Sequence, residues 1–204
     1  MTDHQNQGRA MRPTRVVAHH DDAKARIDSW WRLPTAAKAD EAARGALEVM
    51  PWSDGLIQFS VLHAPTEPTL FLQSLWTTAA ARDHYVHQVA SIPSAAIDDR
   101  VPDIERDRSL TEIVAVVAHV DTVADKWITR RLPATDDAGV QALVKQEAAR
   151  LRGEKEPGLV RATLGVGRDE DGNPIEVIVI EERSGSTHSD VLAYEPFGAI
   201  TPTT

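Results

Sequence analysis

The stretch from Gly55 to Trp76, GLIQFSVLHAPTEPTLFLQSLW, decides how the chain is read. Two runs of strand-forming residues, Leu56–His63 and Thr69–Trp76, flank a short tract containing Pro65 and Pro68. Proline fixes φ and gives no amide hydrogen to a ladder, so the tract between must turn. A β-hairpin with a five-residue loop, residues 64–68, follows. Side chains alternate across a strand, so Ile57, Phe59, Val61 and His63 share one face. Leu56, Gln58, Ser60 and Leu62 share the other. On the return strand Leu70, Leu72, Ser74 and Trp76 alternate with Phe71, Gln73 and Leu75. Both faces are largely apolar, so one can meet helices and the other a second sheet. A sheet covered on both sides can enclose a pocket.

Working outward, residues 1–22 are polar without a period and read as a flexible arm, and 23–31 (AKARIDSWW) as a first strand. Thr35 is a good N-cap for a helix bearing Ala39, Ala42, Ala43, Ala46, Leu47 and Met50 at helical spacing, stopped by Pro51. After the hairpin, Thr77 or Thr78 can cap a second helix over 79–90, ending before Pro93. An irregular stretch through Pro102 leads to a strand over 110–120. The order β-α-β-β-α-β is a ferredoxin-like split unit. The second half echoes the first: Arg32-Leu33-Pro34 returns as Arg131-Leu132-Pro133, and Gly55-Leu56-Ile57 as Gly158-Leu159-Val160. A helix with Val140, Leu143, Val144, Glu147 and Leu151 on one face and a hairpin turning at residues 169–174 complete the echo. The stretch 182–190 is too polar and Gly/Ser-rich for a helix, and 191–194 reads as a last short strand. The expected fold is α+β: two ferredoxin-like units, 23–120 and a degenerate 126–204, joined near 121–125.

Length and composition bound the function. A chain of 204 residues buries a sizeable core, and no apolar run approaches the roughly 20 residues of a membrane span. The N-terminus lacks the apolar core of a signal peptide, so a cytoplasmic, soluble protein is expected, with no membrane partner. Having no cysteine, the chain has neither disulfides nor a thiolate nucleophile. A formal charge of −9, with dispersed Lys and Arg, argues against nucleic-acid binding. No P-loop, dinucleotide fingerprint or nucleophile elbow occurs.

Candidate site residues cluster around the hairpin. His84 and His87, with Tyr85 nearby, lie close together on the second helix, and histidine suits proton transfer near neutral pH. No carboxylate at clean spacing completes a metal site there. His63 ends one strand face and is a third candidate base. Gln73 and Ser74 sit on opposite faces of an apolar strand, so whichever is buried needs a partner, which a ligand could supply. Five tryptophans, among them Trp31 and Trp76, are many for a chain with three Phe and two Tyr, and flat rings stack on such side chains. His19-His20-Asp21-Asp22 resembles a metal clamp but adjoins the arm; residues 168–173 lack the full calcium-loop ligand pattern.

The residues PWSDGLIQFSVL (51–62), the return strand closing on Trp76, the helix after it, Ala96-Ile97-Asp98 and Val101-Pro102-Asp103-Ile104-Glu105-Arg106 resemble the antibiotic biosynthesis monooxygenase family, over roughly residues 23–118. The resemblance implies a dimeric α+β barrel, here with both units in one chain, as a monomeric fused pseudo-dimer or a homodimer. It implies a small oxygenase that oxidises a polycyclic aromatic polyketide in bacterial secondary metabolism, with molecular oxygen and no metal or organic cofactor. A reduced-flavin oxygenase, a polyketide cyclase and a non-catalytic binding or assembly protein are the alternatives. Where family oxygenases carry Asn or His four positions before the tryptophan this chain has Leu72, and where they carry Tyr six positions after it, Arg82. The expected catalytic residues are His84, His87 and His63. The expected substrate-binding residues are Trp76, Gln73, Arg82, Tyr85, Leu72, Phe59 and Trp31.

Overall fold

The structure, a computed structural model, describes residues 11–120, 122–153, 158–169, 171–185 and 192–203. In chain order the elements are β1 (Met11–Thr14), β2 (Ala25–Arg32), α1 (Ala36–Val49), β3 (Leu56–His63), β4 (Thr69–Trp76), α2 (Ala79–Gln88) and α3 (Ser91–Arg100). Then come β5 (Glu105–Ala118), β6 (Lys126–Pro133), α4 (Asp137–Gly153), β7 (Leu159–Arg168), β8 (Pro174–Arg183) and β9 (Ala193–Pro202). Residues 1–10 of the expected arm, residue 121 of the junction, residue 170 of the second turn, and 186–191 lie outside the described residues.

The hairpin forms with the expected bounds, and Ala64 N–H closes its loop on Thr69 O at 2.9 Å. A bulge after Leu56 alters one detail of the alternation: Leu56 joins Phe59 and Val61 on the helix-facing side, with Leu70, Leu72 and Trp76. The other face sends Leu62 and Phe71 against Trp127, Val160, Ile178, Ile180 and Tyr194. Thr35 caps α1 by accepting from Lys38 N–H, and buried Ala39, Ala42, Ala43 and Ala46 let that helix lie close on the sheet. Around α4, Val140, Ala148 and Leu151 are buried, while Glu147, also buried, is held by Arg130 at 2.7 Å.

Two separate ferredoxin-like units do not exist. The nine strands of the described residues form one antiparallel sheet, in the order β1-β9-β3-β4-β2-β5-β7-β8-β6, and a further pairing of β9 with the last strand in that order, β6, closes it. The reason lies in two strands longer than expected. β5 pairs through Glu105 to Glu112 with β2, and through Leu110 to Ala118 with β7, so it belongs to both halves. β9, read in the sequence as a stub at 191–194, runs for ten residues and pairs with β3, β1 and β6. Among the described residues, every strand edge at the supposed boundary thus finds its hydrogen-bond partner in the other half, and none is left open to define a unit. Within the expected arm, Met11–Thr14 is a strand on β9, and Val16 and Ala18 are buried. The expected irregular stretch before Pro102 holds α3, with Pro93 in its first turn, where the missing amide costs nothing. Among the described residues no helix is long and apolar enough to cross a membrane.

Between the two halves of the sheet lies a polar knot. Arg26 and Asp28 are fully buried and paired at 2.6 Å; Asp28 also accepts from Thr111 Oγ1 (3.0 Å) and Gln73 Nε2 (3.3 Å), and Arg26 donates to Ile178 O (3.1 Å). Gly165 leaves the space the guanidinium needs: a Cβ there would overlap Thr111 Cγ2 and come within 3.0 Å of Arg26 Nη2. Gly165→Ala is therefore expected to destabilise the fold by about 1–3 kcal/mol, read as a lower urea midpoint with unchanged slope.

Candidate active site

The helix-facing side of β2, β3, β4 and β5 and the helices α1, α2 and α3 enclose a cavity of about 360 Å³. Its walls are built by strand alternation. From β2 come Ile27, Ser29 and Trp31, from β4 Leu72 and Ser74, from β3 Phe59, and from β5 Arg106 and Arg108. Met50, Tyr85, Pro93 and Ile97 close it from the helix side. The size is within the range of small-molecule sites, and the lining is mostly apolar with a few polar groups, as such sites are.

Those polar groups are specific. Trp76 Nε1 donates to Ser74 Oγ at 2.7 Å, and Trp31 Nε1 donates to Ser29 Oγ at 2.9 Å. Ser29 Oγ–H donates in turn to Asp107 O at 3.2 Å, so its hydroxyl is committed. Ser74 has no such acceptor among the described residues, which leaves its O–H for a guest. Tyr85 is buried beside Trp76, their ring centres 5.1 Å apart, and its O–H donates to the weak acceptor Met50 Sδ at 3.3 Å. Arg106 lies over the Trp31 ring at 4.6 Å and is paired with Asp98 of α3 at 2.6 Å. Arg108, one alternation further along the strand, has no hydrogen-bond or ion-pair partner among the described residues.

Burial pushes the Tyr85 phenol up to about 12, an effect Arg108 only partly opposes, and burial together with Glu67 pushes Tyr194 up to about 12. At neutral pH Tyr85 is therefore a donor and not a base. These are the chain's two tyrosines. The unfolded chain releases both protons near pH 10 while the folded chain holds them to about 12. The stability this adds is complete below pH 10 and is lost as pH rises towards 12. A spectroscopic titration should show tyrosinate only on approaching pH 12, coincident with loss of ellipticity; two tyrosines ionising near pH 10 in folded protein would contradict it.

Of the ten expected site residues, four line this cavity: Trp31, Phe59, Leu72 and Tyr85. Trp76 is fully buried behind Tyr85 and supports the wall without forming it. Gln73 points to the opposite face and bonds Asp28. Arg82 is buried, donates to Thr111 O at 2.8 Å and pairs with Asp83, tying α2 to β5 outside the lining. His84 and His87 are exposed on α2, and His63 sits at the hairpin loop with Phe197, ring centres 6.1 Å apart, beside a separate depression. Among the described residues no histidine or carboxylate lines the cavity, and no group of three or more His, Cys, Asp or Glu could hold a metal ion. His19, of the apparent clamp, is half-buried, and burial lowers its pKa. Arg106, Arg108 and Ser29 went unread as site residues. The alternation Arg106-Arg108-Leu110 was the available signal, but it shows only if the strand begins before Leu110.

The fold is that of a single closed antiparallel sheet with a helix-roofed pocket on its outer face. No family model and no curated protein matches the chain. Solved structures do. An anthrone oxidase-like protein is 11% identical with a TM-score of 0.59, the match covering 90% of this chain and 92% of that one. A candidate monooxygenase from Fusobacterium nucleatum subsp. nucleatum ATCC 25586 is 10% identical at TM-score 0.53, covering 89% and 95%. One from Lactobacillus acidophilus NCFM is 11% identical at 0.52, covering 88% and 96%. At such identities the likeness is one of fold, and it extends over nearly the whole of each chain.

Proposed function

We propose that the cavity is the active site of a monooxygenase that oxidises a polycyclic aromatic polyketide of the anthrone type in bacterial secondary metabolism. The observation that carries this reading is the cavity itself. It is large enough for a fused-ring guest, walled by Trp31, Phe59 and Leu72, and provided with hydroxyl donors from Ser74 and Tyr85. The fold shared with an anthrone oxidase-like protein points the same way.

The chemistry needs little from the protein. The ring methylene loses a proton, and the resulting enolate passes electrons to oxygen. The carbon–oxygen bond forms, and the substrate peroxide loses water, so R₂CH₂ + O₂ gives R₂C=O + H₂O. Molecular oxygen is the co-substrate and the substrate supplies all the electrons. Ser74 donates to the oxygen on which enolate charge develops, the protonated Tyr85 joins it by turning its O–H away from the weak acceptor Met50 Sδ, and apolar walls make those bonds count. With no histidine or carboxylate in the lining among the described residues, the proton leaves to water at the mouth.

The test is oxygen uptake by purified protein with 1,8-dihydroxyanthrone and a chelator present. One oxygen consumed per quinone, above the buffer rate, is expected; no turnover with oxygen present would defeat the cofactor-free reading. A second reading, in which reduced flavin supplies electrons, is favoured by a lining that holds no histidine or carboxylate among the described residues, and it requires that turnover depend on an added flavin reductase.

A further inference from the structure

The lining contains a charge that catalysis by hydroxyl donors leaves unused. Arg108, exposed at the rim of the cavity, has no counter-ion among the described residues, in a chain whose 31 acidic residues outnumber its 22 basic ones. Neighbouring arginines are engaged: Arg106 with Asp98, Arg82 with Asp83, Arg168 with Asp137. Glu112 lies four residues along the same strand, about 13 Å away by strand rise, and makes no ion pair with it. From this we infer that the substrate carries a carboxylate, which Arg108 holds at the mouth while the reacting ring oxygen lies deep against Ser74.

The register supports a two-ended guest. Arg108 stands opposite Ser29 on one flank of β2, and Ser74 opposite Ile27 on the other. Two strand spacings and a two-residue offset separate their Cα atoms by about 12 Å. That is a span for an extended fused-ring acid, with the acid at one end and the reacting position at the other. A single guanidinium offers the two parallel N–H donors that suit a carboxylate monoanion. A phosphate dianion would call for a second free cation, and Arg106 is occupied by Asp98.

The inference rests on the cavity being the substrate site, and the experiment separates the two. Calorimetric titration compares 9-anthracenecarboxylate with the neutral 9-anthracenemethanol, on wild type, Arg108→Gln and Arg108→Lys. The acid should bind wild type about tenfold more tightly than the alcohol, a charge-assisted bond's worth, and the difference should shrink with salt. Arg108→Gln should abolish the difference by weakening the acid, and Arg108→Lys should restore part of it. Equal affinities in wild type, or a preference that survives in Arg108→Gln, would overturn the inference and leave the cavity reading standing. If neither ligand binds, the cavity reading falls and this inference with it.

Discussion

Asp28→Ala should cost about 3–5 kcal/mol of stability, a large part of what holds a domain of this size folded. The carboxylate is fully buried and neutralises Arg26 at 2.6 Å while accepting from Thr111 and Gln73. Removing it strands a guanidinium whose exposure is 0% and leaves two further donors unpaired. The knot joins β2, β4, β5 and β8, so the loss is global and should appear as one cooperative shift of the denaturation midpoint. The double variant Arg26→Met, Asp28→Leu should recover much of the loss, since what is costly is the uncompensated charge and not the absence of the pair. A loss in Asp28→Ala below about 1 kcal/mol would mean that water reaches the knot.

Leu72→Trp should reduce turnover and ligand affinity at least about a hundredfold while the protein stays folded. Leu72 lies on the cavity floor beside Ser29 in register, and a larger ring there occupies the space a planar guest needs. Ser94→Trp, entering from the exposed rim of α3, blocks the same volume without touching the sheet, and so guards against a folding defect in the first variant. Retention of activity by both, with native circular dichroism, would place the reaction elsewhere.

Much of this was legible in the sequence, for physical reasons that can be named. The hairpin could be read residue by residue because Pro65 and Pro68 fix where pairing stops, and α1 because Thr35 caps it and Pro51 ends it. Period two on β4 placed Leu72 and Ser74 together, though which face met helices was open until α1 to α3 were seen. Pro93 read as a stop because a proline inside a helix is one, yet in the first turn it is not. β9 runs on through Pro196 because that proline falls at a bulge opposite Leu62, where a ladder bond is already missing. Strand partners were beyond reach, because the repeats of Arg-Leu-Pro and the glycine turns carry no information on which edges meet. On α2 the inward face is set by Arg82 and Tyr85, a turn apart, and that same period turns His84 and His87 to solvent. Motif spacing alone put those histidines at the centre of the chemistry; in the structure they stand exposed on α2, outside the lining of the helix-roofed cavity.

The most direct test is a crystal structure with 9-anthracenecarboxylate bound. The ring system should lie between Trp31, Phe59 and Tyr85, with its carboxylate on Arg108. Density for the ligand in a different depression, one lined by Trp30, Arg32 and Tyr194, with the helix-roofed cavity filled by side chains, would contradict the assignment of the active site.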